Sequence, residues 1–454
     1  MNSIEKRAIA GVGGIFALRM IGLFMIVPVF SVYGINYTHA TPFLIGLAVG
    51  IYGLGQAIFQ IPMSMAADKF PRKPMIFFGL LLFALGGIVA ATATDIYQVI
   101  IGRALAGSGA VSAVLMALLA DVTREQVRTK AMATMGLTIA TSIMLSFAIG
   151  PMMVASLGIS GLFWLTAVFA VLAMVLLLIV PTPLRVLKHN LANQSIGEQL
   201  KEVLRIGDLN RLHVSIFALH LTMTAIFVIV PHQLGDILGL SVRQQGLVYL
   251  PLLFVGFAIA IPFIIIAEKK RKMRQVFLSA VALMVVALLS LAVGSQFSIG
   301  LIVGLGLYFI GFNLLEATIP SWISKKAPVA NKATAMGINS SSQFLGAFFG
   351  GALGGVLLSQ GNLTAWAILG GIMAVALLLT IPISQPPYLT STTMAIPKQA
   401  DISAWSQQVM ETDGVDEVVV MPKDGVAYLK LDKQKLTDNS RQLLSQLTET
   451  KLDI

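Results

Sequence analysis

Four ionisable side chains stand inside long apolar runs of the chain: Arg19, Arg103, His220 and Glu316. Such groups are expensive in hydrocarbon, so each must face a polar cavity or find a partner inside the protein. Two of them can exchange protons. Desolvation raises the pKa of a carboxylic acid, and an imidazole titrates near neutrality without help. Glu316 is therefore the leading candidate proton carrier, with His220 as its partner. Asn313, one turn before Glu316, can bind substrate or orient the acid. Arg19 and Arg103 stay charged, which suits anion attraction, pairing or helix locking. For Arg103 and His220 a purely structural hydrogen bond between helices is an equal reading.

A second group of charges sits in "MSMAADKFPRKPM" (63–75), where Asp68, Lys69, Arg72 and Lys73 gather between two apolar runs. Basic residues collect in any cytoplasmic loop of a membrane protein, which accounts for Lys69 and Lys73. That tendency does not ask for an acid, so Asp68 requires its own explanation.

The elements that position these residues follow from composition. The 454 residues are 56% hydrophobic and 11% charged, with mean hydropathy +0.85. Soluble domains carry about 25% charged residues, so most of this chain cannot face water. The absence of cysteine excludes disulfides, thiolate zinc sites and a thiol nucleophile, and no metal or cofactor is expected. The N-terminal stretch does not fit a signal peptide, because its apolar run is long and holds Arg19.

A helix crossing the hydrocarbon core needs about 20 mostly apolar residues. Twelve such runs are read: 8–34, 42–66, 74–94, 96–120, 131–156, 161–181, 212–235, 242–267, 274–294, 298–323, 333–358 and 363–383. Their loops alternate in charge, 21 basic residues on one side against Arg243 alone on the other, which places both termini in the cytoplasm. The net charge of +10 divides into +13 over residues 1–388 and −3 over 389–454. This pattern reports membrane topology and not nucleic-acid binding. The expected partners are the lipid bilayer, protons and a small molecule.

The longest loop separates a six-span half (1–181) from a second (212–385). Within the linker 182–211, Ile196, Leu200, Val203 and Leu204 fall at the spacing of an amphipathic surface helix. "RTKAMATMG" (128–136) is echoed about 200 residues later by "ANKATAMGI" (330–338), as a duplicated unit would be. After a short linker (386–391), residues 392–454 read as strand, helix, hairpin and helix, the beginning of a βαββα(β) ferredoxin-like domain. Its acidity suits docking to the basic cytoplasmic loops, or an unidentified regulator.

These features resemble the major facilitator superfamily over roughly residues 8–385. The loop after the second run resembles the family signature, with Gly55, Asp68, Lys69, Arg72 and Lys73 in place, Ser64 at a glycine position and Pro71 at another. "GRALAGSGA" (102–110) resembles the fourth-span signature with Arg103, Gly107 and Gly109. "SFAIGPMM" (146–153) resembles part of the fifth-span signature of proton-coupled efflux proteins, matching at Gly150 and Pro151, whereas Ser146, Val154 and Ala155 replace glycines.

The resemblance implies an all-α membrane fold of twelve transmembrane helices, in which spans 1, 4, 7 and 10 line a central cavity. Each of these carries one of the four ionisable residues. It also implies a cytoplasmic charge switch of Asp68, Arg72 and Asp121, flanked by Lys69, Lys73 and Arg128, that latches the cytoplasmic ends in the outward-facing state. Gly346 and Gly350 join Gly55, Gly107, Gly150 and Pro151 as helix-packing positions. Phosphate-loop, zinc-protease and nucleophile-elbow motifs are absent, so an enzyme is not expected. The implied function is a secondary transporter of a bacterial inner membrane, exporting a small molecule in exchange for protons. Uptake or uniport, and a membrane sensor signalling through the tail, are the alternatives.

Overall fold

The computed structural model describes residues 3–181, 196–328, 331–388, 390–397, 401–421, 425–432 and 435–447. The side chains of Asp68, Lys69 and Arg128, part of the sixth loop and the expected last strand at 451–454 lie outside the described residues. The chain forms two units, residues 1–384 and 385–454.

In the large unit the first apolar run forms α1 (Ser3–Phe24) and α2 (Val27–Tyr33), with Pro28 in the first turn of α2. Helix α3 (Pro42–Lys69) starts where the Thr41 hydroxyl accepts the Leu44 N–H, and α4 spans Arg72–Ala91. The fourth run was expected as one helix but is broken into α5 (Ile96–Ser108) and α6 (Ser112–Val122). The break follows from Gly109, whose ψ of 51° ends the helical ladder and whose missing Cβ lets α4 approach at Gly79. Helix α7 (Glu125–Ile179) is 55 residues long where two spans were expected, and only Gly158, at φ 67° and ψ 177°, interrupts it. At 1.5 Å per residue this run is about 80 Å long, over twice the hydrocarbon thickness.

The second part of this unit begins with α8 (Ile196–Arg205), the amphipathic helix read from the sequence. Then come α9 (Gly207–Leu238), α10 (Val242–Lys269), α11 (Met273–Gly294), α12 (Ser298–Lys326), α13 (Lys332–Leu358) and α14 (Asn362–Thr380). Among the described residues eleven apolar stretches are long enough to cross a membrane, one of them the 50-residue stretch Lys130–Ile179. Leu178, Val293 and Ile299 are at least 75% exposed. Such outward apolar faces suit lipid, because they would be costly in water.

Two glycine-rich helices join the halves. Cβ atoms built at Gly46 and Gly50 of α3 would collide with backbone of Gly351, Gly355 and Phe348 on α13. Only glycine permits this approach. Other cross-half contacts lie toward the same end, away from the basic loops. Phe147 of α7 stacks on Phe227 of α9 at 4.2 Å between centroids, and His232 Nε2 lies 3.2 Å from the Ser31 carbonyl. At the basic end, ion pairs between described residues stay within one half: Arg72–Asp121, Arg124–Glu5, Lys325–Glu268 and Lys326–Asp208. Glycines 55, 107 and 150 pack against backbone within the first half, as Gly346 and Gly350 do within the second. Pro151 lies inside α7.

Between α2 and α5, Asp95 caps α5 and receives hydrogen bonds from His39, Thr38 and the Tyr97 N–H. Those donors, His39 first, hold its carboxyl below the usual aspartate range.

The small unit contains β1 (Thr390–Ala395), α15 (Ile402–Met410), β2 (Val415–Met421), β3 (Val426–Leu431) and α16 (Asp438–Gln446). Its antiparallel sheet has the order β1-β3-β2. Trp405, Val409, Leu429, Leu431 and Leu444 form its core.

Substituting Gly50→Val should force the α3–α13 crossing apart. A single cysteine placed at Ala148, beside Gly246 of the opposite half, should then react with a maleimide several-fold faster; an unchanged rate would count against a closing role for the crossing.

Candidate functional site

The second half brings three polar side chains from three helices together. His220 on α9 lies 3.6 Å, Nε2 to Oε2, from Glu316 on α12. Gln343 on α13 reaches both: its amide nitrogen is 2.8 Å from His220 Nε2 and 3.4 Å from Glu316 Oε1. His220 Nδ1 lies 3.2 Å from the Ile216 carbonyl one turn earlier. A carbonyl can only accept, so Nδ1 carries the proton and Nε2 accepts from Gln343. The Phe312 ring packs edge-on against the imidazole.

This geometry couples the three groups. A proton arriving at His220 Nε2 would face the Gln343 N–H, donor against donor, and Gln343 would have to turn away. The new N–H would then point toward Glu316, whose Oε2 is buried without a hydrogen-bond partner among the described residues. His220 is almost enclosed, while the Glu316 side chain is 39% exposed.

The arginines belong elsewhere. Arg19 is 2% exposed and donates to Ser112 Oγ (2.6 Å), Tyr52 Oη (3.0 Å) and the Gly109 carbonyl (3.0 Å). Gln56 extends the network to Tyr52 and the Gly107 carbonyl. Arg19 therefore ties α1 to α3 and to the break between α5 and α6. Arg103 donates to the Ala48 and Val49 carbonyls of α3. Both guanidinium groups cross-link the first half, and neither meets Glu316. The Asn313 amide bonds the Phe309 carbonyl of its own helix and lies beside Gly256 of α10.

At the basic end, Arg72 Nε and Asp121 Oδ2 are 2.8 Å apart. The pair joins α4 to α6 inside one half, so it cannot by itself hold the halves together.

The family model for the Major Facilitator Superfamily matches residues 12–346 and 212–410. The chain belongs to the major facilitator superfamily. It is 41% identical over 442 residues, 96% of each chain, to the inner membrane transport protein YajR of Escherichia coli K12. It is also 25% identical over 389 residues, 80% of this chain and 92% of the other, to multidrug resistance protein 2 of Bacillus subtilis. Among solved structures a D-xylose-proton symporter superposes with TM-score 0.67 at 17% identity, covering 84% of this chain and 97% of that one. As a superfamily member the protein is a multi-pass membrane transporter and not an enzyme.

Sequence reasoning found His220 and Glu316 but missed Gln343, Tyr52, Gln56 and Ser112. A signal for Gln343 was present: "NSSSQ" (339–343) is a polar run inside an otherwise apolar helix.

Removing Arg19 leaves three partners without their charged donor, at about 1.5–3 kcal/mol for each such hydrogen bond. Arg19→Met should lower the thermal midpoint clearly, whereas half-exposed Glu316→Gln should leave it nearly unchanged. Equal losses in the two variants would contradict this division between scaffold and site.

Proposed function

We propose that the protein is a secondary transporter that moves a small molecule by alternating access and exports it in exchange for protons. The observation that carries this reading is the Glu316–His220–Gln343 cluster, a half-open carboxyl beside a buried imidazole in the membrane-spanning bundle. A carboxyl so placed can take a proton from an aqueous cavity and lose it when the cavity changes sides. The multidrug-resistance relative supports efflux over uptake.

The same reading gives the bundle twelve spans, with Gly158 dividing α7 into the fifth and sixth. Both termini lie in the cytoplasm of a bacterial inner membrane, with the basic loops on the same side. The conformer is then closed at its outer end by the α3–α13 crossing. Space beside Gly136 on α7 and Gly337 on α13, where a Cβ would meet nothing within 4 Å, supports an opening at the basic end. Arg72 and Asp121 keep the basic end of the first half rigid. The strand order β1-β3-β2 with helices after β1 and β3 supports a ferredoxin-like tail, which serves as a regulatory domain.

The test uses proteoliposomes and a compound selected by thermal stabilisation of the purified protein. An imposed pH gradient should drive wild-type transport against the concentration gradient. Glu316→Gln should retain counterflow of the labelled compound and lose the response to pH. A Glu316→Gln protein still driven by the gradient would remove this residue from coupling.

A further inference from the structure

A second polar cavity, of about 220 Å³, lies at the end of the bundle opposite the basic loops. His232, Gln233 and Asp236 from the last turns of α9 and Asn362 from the start of α14 supply its polar wall. Ile229, Leu357 and Leu358 supply an apolar one. It is distinct from the Glu316 cluster, since Gln233 stands thirteen residues beyond His220, about 20 Å along the helix.

One polar group here lacks partners. Gln233 is 3% exposed, yet neither its amide nitrogen nor its amide oxygen has a hydrogen-bond partner among the described residues. A buried amide without partners is costly, and native structures rarely keep one without an occupant such as water or a ligand. Asp236, one turn farther along the same face, is the only formally charged residue lining the cavity. His232 shares that wall but turns its Nε2 to the Ser31 carbonyl of the other half, so it walls the cavity and is not free to serve an occupant through that nitrogen.

We propose that this cavity binds a small organic cation. The Asp236 carboxylate and the Gln233 amide oxygen receive the N–H groups of an alkylammonium or guanidinium, while its carbon chain lies on Ile229, Leu357 and Leu358. A carboxylate repels an anion, and the amide oxygen is a ready-made acceptor, so the chemistry selects a donor-rich cation. All seven residues lining the cavity belong to α9, α13 and α14, so the site is built within the second half.

The experiment is thermal unfolding of the purified full-length protein in detergent, with butylammonium chloride against sodium butyrate at matched ionic strength. Ligand that binds only the folded protein raises the midpoint in a saturable way. Butylammonium should do so and butyrate should not. Asp236→Asn and Gln233→Leu should each raise the half-saturating concentration at least tenfold, and Glu316→Gln should leave it unchanged. A shift equal for both ions, no shift in the wild type, or a response that survives in Asp236→Asn and vanishes in Glu316→Gln would overturn the proposal. The last result would assign the cation to the central cluster and leave the transport reading standing.

Discussion

The backbone-to-backbone approach of α3 and α13 is the constraint around which the membrane unit is organised. At Gly46, Gly50, Gly351 and Gly355 a single added methyl group would strike the opposite helix. Lipid offers no hydrophobic drive for two helices to associate, so close packing of small residues must supply the attraction. The crossing has a further consequence, because α13 also carries Gln343 about two turns from Gly350. The helix that seals the halves is thus the helix that holds His220 and Glu316 in register. A change in the tilt of α13 would alter both.

Charge is divided between the halves. The first half buries two arginines and bonds them to hydroxyls and backbone carbonyls on α3 and at the break between α5 and α6. A guanidinium keeps its charge under all physiological conditions, so it suits a permanent cross-link. The second half places a half-exposed acid beside a buried imidazole, groups whose charge can change. The linker helix α8 follows the second half as well, through Gln199–Thr334 and Glu202–Asn331 at the start of α13.

Much of this was legible in the residues. Apolar runs of about 20 residues located the helices, and α8 fell where Ile196, Leu200, Val203 and Leu204 placed it. His220 and Glu316 could be paired because ionisable groups in lipid must find partners. The break at Gly109 was harder to foresee, since glycine is common in membrane helices and only the close approach of Gly79, which a Cβ would block, singles this one out. Depth in the membrane leaves anion attraction, pairing and helix locking all open for Arg19 and Arg103, and the structure shows bonds that lock helices. Depth alone does not say which face of a helix a side chain occupies, and both face the interior of their own half. The union of Arg72 with Asp121 came from a family resemblance, and no spacing rule would have given it.

The claim that Glu316 carries the transported proton is tested most directly by difference infrared spectroscopy of the carboxyl C=O stretch as substrate is added. The account predicts a protonated-carboxyl band that is lost on binding in the wild-type protein and is missing altogether in Glu316→Gln. The same difference band in both proteins would contradict it.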